Sequence, residues 1–220
     1  MSVAWLVPTL NRPTLAKVQA DFDVFQRGQD EFIIESRGMI ASALRYAVAA
    51  SVTKAPILRN AADDDEYPPE ANRRAAEIME SSDIDVLVTG GIKLRPSGLD
   101  FPVCVPKGAR YGYAVASVAQ YGACGSGLFM RRDAVEKYEL LDYDGRMIDV
   151  FIVLKAIADG AKVRFCRLNT YWHRISVQDG GAEQLKAFRA EKQELYERFG
   201  IWGVRRRPYE TPANWDGEFA

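Results

Sequence analysis

The chain has 220 residues, 48% of them hydrophobic, which suits one globular domain with a full-sized core. A net charge of -1 gives no global electrostatic case for binding nucleic acid or an anionic membrane. No run reaches the ~20 apolar residues that cross a bilayer, and residues 1–8 lack the basic flank of a secretion signal. Cys104, Cys124 and Cys166 are odd in number and far apart, which speaks against a disulfide framework or a structural zinc site. Buried thiols in a reducing cytoplasm are the expectation.

Residues 3–7 are a continuous apolar run and predict a buried strand. It leads into the loop Pro8-Thr9-Leu10-Asn11-Arg12-Pro13, and then into a helix carrying Leu15, Val18, Phe22 and Phe25 at helical spacing. Residues 32–34 predict a second strand. Met39, Ile40, Ala43, Leu44, Ala47 and Val48 predict a second amphipathic helix, and residues 56–60 a third strand. This alternation predicts an α/β sheet with parallel strands, whose ligands bind at the carboxyl ends of the strands. Asn11-Arg12 and Asp63-Asp64-Asp65 both stand at such ends, so the fold would bring them together.

The carboxylate triplet is the centre of the reading. Like charges packed at a strand end repel and add nothing to a core, and a hard divalent cation, Mg²⁺ or Mn²⁺, would remove that cost. The bland alternative is a solvated acidic turn capping the helix that starts near Pro68. A helix through Ala71, Ala75, Ile78 and Met79 follows, then a strand at 85–89, Gly90-Gly91, and apolar residues 92–94. Tyr111, Tyr113 and Tyr121 are interleaved with small residues up to Gly122-Ala123-Cys124-Gly125-Ser126-Gly127, which reads as close backbone approach to a ligand or as tight turns. Residues 128–130 predict a strand and 133–138 a short helix. The strongest helical pattern, residues 150–158, has Asp149 in its first turn and Gly160 as its stop. A strand at 162–168, the segment Tyr171-Trp172-His173-Arg174 and a helix at 181–199 complete a domain over residues 1–200. Residues 201–220 form an Arg-rich tail.

The order of these elements resembles the family 2 glycosyltransferases of the GT-A fold over about residues 3 to 175. That resemblance implies a single GT-A domain, α/β and Rossmann-like, with a mixed, mostly parallel sheet flanked by helices. Pro8, Thr9, Asn11 and Arg12 match the family's turn that receives the nucleotide base, and Asp63-Asp64-Asp65 stands where it carries an Asp-x-Asp metal motif. The implied roles are Asp65 on the metal, Asp63 on the ribose or a second metal contact, and Asp64 in the donor site. His173, after the last strand, matches a third metal ligand, and Asp149 the catalytic base. The family's Glu before that base is Ile148 here, with Asp144 as the fallback base.

The implied function is transfer of a sugar from a nucleotide-sugar donor, UDP favoured, to an acceptor hydroxyl with inversion, using Mn²⁺ or Mg²⁺. Processive synthesis is disfavoured, because the Gln-x-x-Arg-Trp segment and membrane helices are absent. Arg164, Arg167, Arg174, Arg205, Arg206 and Arg207 near Tyr171, Trp172 and Trp202 allow a hydroxylated base in DNA as acceptor beside a saccharide. A nucleotidyltransferase would use the same groove, but its Gly-rich loop after the first strand is missing. A non-catalytic nucleotide-sugar binder is disfavoured by intact Asp63, Asp65, Asp149 and His173.

Overall fold

The computed structural model of the chain describes residues 1–9, 12–36, 42–94, 101–103, 125–174 and 182–199. Within them, strands β1 (Val3–Pro8), β2 (Glu31–Glu35), β3 (Ile57–Asn60), β4 (Asp65–Glu66), β5 (Val86–Leu94), β6 (Phe101–Val103), β7 (Leu128–Arg131) and β8 (Val163–Arg174) join one sheet. Helices α1 (Leu15–Phe25), α2 (Ser42–Ser51), α3 (Pro69–Ser81), α4 (Arg132–Lys137), α5 (Ile148–Ala158) and α6 (Ala182–Arg198) accompany it. Asn11, Gly38 to Ile40, Cys104, Tyr111 to Cys124, the Arg174 side chain, and Trp202 with Arg205 to Arg207 lie outside what is described.

The strands stand in the order β2-β1-β3-β7-β5-β8-β4, with β6 paired to β5. Strands β1, β2, β3, β5 and β8 run one way, and β4, β6 and β7 run antiparallel to their neighbours. The opening strand–helix–strand–helix–strand expectation is met, because β1 pairs in parallel with both β2 and β3.

Side-chain alternation along each strand divides the apolar residues between two layers. Val3, Trp5, Val7, Ile57, Leu87 and Phe129 pack with Val18, Phe22 and Phe25 of α1 and Ala75, Ala76 and Met79 of α3. Ala4, Leu6, Leu58, Val86, Val88, Leu128 and Met130 pack on the other face with α2, α5 and Leu195 of α6. Burial on both faces is why β1 reads as a continuous apolar run. Helix α5 is apolar almost all round because it lies between the sheet and α6. Gly160, at φ 79°, ends it in a conformation few other residues adopt readily.

Two elements differ from expectation, and they differ together. The sequence breaks the fifth strand at Gly90-Gly91 and ends the last one near residue 168. In the structure β5 continues through both glycines and pairs with β8 as far as Leu94 and Arg174, with a register irregularity between Val88 and Gly91. His173 therefore lies inside the last strand, not after it. Gly91 makes this possible: a Cβ there would stand 2.3 Å from the buried Tyr171 ring. Gly91→Ala is expected to destabilise the protein by about 1–3 kcal/mol through overpacking, read from the denaturant midpoint.

Candidate active site

Thr9, the carboxylate triplet, Lys93 and His173 all stand toward the carboxyl ends of β1, β3, β5 and β8. The Thr9 hydroxyl donates to Asp63 Oδ2 at 2.6 Å. Arg12 Nη1 lies 3.5 Å from Asp63 Oδ1 and donates to Asp64 Oδ2. The predicted meeting of the first loop with the triplet is thus present. Burial, with Asp65 next, raises the Asp64 carboxyl above its ordinary range, and Arg12 opposes the shift. The third carboxylate does something else. Asp65 forms the two-residue strand β4, paired antiparallel to β8 with Asp65 opposite His173. Its Oδ1 is 2.7 Å from His173 Nδ1, and its Oδ2 accepts from Ser126 in the 3₁₀ turn Gly125–Gly127.

The residue that ties these pieces together is Arg59. It is fully buried in β3, and burial lowers its guanidinium to about 10, so it remains charged at neutral pH. Its Nε donates to Asn72 Oδ1 of α3 at 2.8 Å, and its Nη1 to the Asn60 carbonyl at 2.8 Å. Its Nη2 donates to the carbonyls of Ser126 at 3.1 Å and Thr170 at 3.3 Å. The guanidinium lies 4.1 Å from the Trp5 ring centroid and 4.3 Å from that of Tyr67. Tyr67 in turn accepts from Ala62 N at 2.6 Å and donates to Ala62 O at 2.9 Å, which pins the backbone entering the triplet.

Asp149 lies in the first turn of α5 and is only 9% exposed. The N-cap residue, Met147, offers no side-chain cap. Glu191 of α6 takes that role, its Oε1 accepting from Arg146 N at 2.6 Å, Met147 N at 2.7 Å and the Tyr143 hydroxyl at 2.5 Å. The hydroxyl of buried Tyr46 donates to the Ala61 carbonyl, just before the triplet, at 3.3 Å. Burial raises this hydroxyl above the ordinary range, and Asp149 and Asp65 raise it further. The fallback residue, Asp144, is exposed.

Of the sequence-predicted residues, Thr9, Arg12, Asp63, Asp64, Asp65 and His173 are brought together, and Pro8 ends β1 beside them. Arg59, Ser126, Tyr67, Asn72 and Glu191 were not singled out. A charged residue inside the apolar strand Ile57–Asn60, and a long helix with Met at its N-cap, were the available signals. In the proposed basic and aromatic patch, Tyr171 is buried beneath Gly91 while Trp172 is 38% exposed.

Among the described residues no group of three or more His, Cys, Asp and Glu side chains converges as a metal cage. A carboxylate and an imidazole 2.7 Å apart nevertheless suit Mn²⁺ or Mg²⁺, which take few protein ligands when phosphate oxygens and water supply the rest. Asp63, by contrast, is engaged by Thr9 and Arg12.

The sequence matches no protein-family model and no curated protein. Solved structures do match. Staphylococcus aureus TarS 1–349 in complex with UDP-GlcNAc has a TM-score of 0.62 at 12% identity, over 91% of this chain and 66% of that one. The mannosyltransferase PcManGT from Pyrobaculum calidifontis, with GDP-Man and Mn²⁺, gives 0.63 at 12% identity, over 91% and 64%. Glucosyl-3-phosphoglycerate synthase from Mycobacterium tuberculosis, with Mn²⁺ and UDP-Glc, gives 0.61 at 12% identity, over 92% and 80%. The chain spans 60% of the TarS 1–349 chain in a further structure and 43% of a longer TarS chain. At this identity the likeness shows the fold, which is GT-A.

Two outcomes follow from this geometry. Arg59→Met removes the Arg59 bonds to the Asn60 and Ser126 carbonyls and Asn72 Oδ1, and one of two to the Thr170 carbonyl, and is expected to cost about 3 kcal/mol or more in chemical denaturation. Arg59→Lys is not expected to restore them, because an ammonium lacks the planar fork. The hydrogen bond to Asp65 raises the His173 imidazole above its ordinary 6.5 despite burial. A raised cationic group contributes stability that is full below pH ~6.5 and lost as pH rises through the folded value. Metal-free protein should therefore lose thermal stability above pH ~6.5 relative to its His173→Gln variant, measured by melting across a pH series.

Proposed function

We propose that this chain transfers a sugar from a nucleoside diphosphate sugar, UDP favoured, to an acceptor hydroxyl in a metal-dependent, inverting reaction. The observation that carries the reading is the pairing of Asp65 with His173 at the carboxyl ends of a GT-A sheet. Support also comes from the neighbours, whose structures contain UDP-GlcNAc, GDP-Man with Mn²⁺, or UDP-Glc with Mn²⁺.

Asp65 and His173 would hold the cation, and a bound cation supplies charge neutralisation on the leaving diphosphate. Thr9 and Arg12 fix the triplet against the first loop and shape the groove for base and ribose. Asn11 belongs to the same proposed turn, and Asp63 and Asp64 line its other side. Asp149 takes the acceptor proton as the acceptor oxygen bonds to the anomeric carbon. The bond from that carbon to the diphosphate oxygen breaks on the opposite side, and its electron pair leaves with the diphosphate. Direct displacement by the acceptor oxygen, with Asp149 as its base, gives inversion. The buried first turn of α5 suits this base better than exposed Asp144.

A saccharide or other small hydroxylated acceptor is favoured over a base in DNA, because buried Tyr171 removes one stacking platform from the nucleic-acid reading.

Thermal melting with UDP-sugars and Mn²⁺, and again with EDTA, tests the donor site. A Mn²⁺-dependent rise is expected for the native chain and none for Asp65→Ala. Asp149→Asn should keep that rise while UDP release on transfer falls by about 10²–10⁴-fold. Unchanged turnover in Asp149→Asn would move the base elsewhere.

A further inference from the structure

Asp65 reaches the candidate metal position from a strand of only two residues, so little backbone pairing fixes its side chain. The outer torsion of an aspartate is broad and roughly two-fold, and the carboxylate turns unless something holds it. Here both oxygens are held. Oδ1 is 2.7 Å from His173 Nδ1, and Oδ2 accepts the Ser126 hydroxyl from the 3₁₀ turn Gly125–Gly127. Asp65 and Ser126 are each only 4% exposed, so water competes little for the contact between them.

A braced turn presents that hydroxyl. The Ser126 carbonyl accepts from Arg59 Nη2 at 3.1 Å, and the Gly127 carbonyl accepts from the Thr89 hydroxyl at 2.9 Å. Gly127 packs closely against β5 and β8: a Cβ there would stand 2.9 Å from Thr89 Oγ1 and 3.0 Å from a carbon of the Tyr171 ring. The turn therefore has no room to follow the carboxylate if the carboxylate rotates. Oδ2 stays with the hydroxyl, and Oδ1 is the oxygen directed to His173, the other proposed metal ligand.

We infer that Ser126 is a positioning residue of the metal site: by holding Oδ2 it keeps Asp65 a one-oxygen ligand through Oδ1 and favours a small cation over a large one. The inference rests on the transferase reading for the presence of a cation at Asp65 and His173. A hydrogen-bond donor behind a ligating carboxylate orients it, and its loss typically weakens metal binding by about 10–100-fold. The effect on selectivity is separate. Mg²⁺ demands a near-octahedral arrangement with short bonds, whereas Ca²⁺ takes roughly six to eight oxygens and accepts a carboxylate through both of its own. With Oδ2 released, Asp65 can offer both oxygens, which Ca²⁺ can use and Mg²⁺ cannot.

The test uses the full chain with saturating UDP or GDP, and reads bound Mn²⁺ from the loss of the free-ion signal in electron paramagnetic resonance. Mg²⁺ and Ca²⁺ are ranked by their displacement of that Mn²⁺. Ser126→Ala is compared with the native chain and with Thr89→Val, which removes the Thr89 hydroxyl contacts to Gly127 and Thr170 and leaves the hydroxyl on Asp65. In Ser126→Ala the affinity for Mn²⁺ and Mg²⁺ should fall by about 10–100-fold, and that for Ca²⁺ by less than about threefold. Thr89→Val should stay within about threefold of native for all three ions. Native-like Mn²⁺ affinity in Ser126→Ala, equal losses for all three ions, or losses matched by Thr89→Val would overturn the inference and leave the transferase reading intact. No Mn²⁺ binding by the native chain with either nucleotide would overturn both.

Discussion

The site depends on one buried guanidinium. Desolvating the Arg59 charge is costly, and it is tolerated because several directed hydrogen bonds and two aromatic faces surround it. Those bonds join elements far apart in the chain. The Ser126 carbonyl belongs to the turn whose hydroxyl holds Asp65, and the Thr170 carbonyl to the strand that carries His173. Asn72, which receives Nε, also donates to Thr170 O at 2.9 Å and to Pro68 O at 2.8 Å, fixing the start of α3. One side chain thus sets the distance between a carboxylate and an imidazole that are 108 residues apart.

Strand direction accounts for the rest of the arrangement. Because β1, β3, β5 and β8 run the same way, their carboxyl ends gather the first loop, the triplet, Lys93 and His173 along one edge of the sheet. The antiparallel strand β4 closes that edge, bringing Asp65 onto β8 with two paired residues. On the other layer α5 is held by apolar burial along its length and by Glu191 at its start. Asp149 is therefore placed by a rigid element and not by a loop. Gly145 permits the cap, since a Cβ there would lie 2.3 Å from Glu191 Oε1.

Much of this was legible in the sequence, for a definite reason. Strands buried on both faces leave continuous apolar runs, and carboxylates clustered at a strand end serve no core, so the early elements and the triplet announced themselves. The extent of the last strand did not. Whether residues 169–174 pair depends on β5 passing through Gly90-Gly91, and glycines read locally as a turn. The function of Arg59 was hidden similarly: its partners are mostly backbone carbonyls, which have no sequence signature. Glu191 acts as a cap 44 residues from Met147, beyond any local capping pattern. Asp149 stood out through the family resemblance, and the structure places it, buried, in the first turn of α5.

The most direct test of the metal site exploits the fact that His173 is the only histidine. Its imidazole C–H proton resonances can be followed by NMR without assigning any other residue. With UDP present, substoichiometric Mn²⁺ should broaden those resonances beyond detection, while Mg²⁺ at the same level shifts them and leaves them sharp. Imidazole signals that remain sharp and unshifted with UDP and Mn²⁺ would contradict a cation held by Asp65 and His173, and with it the proposed donor site.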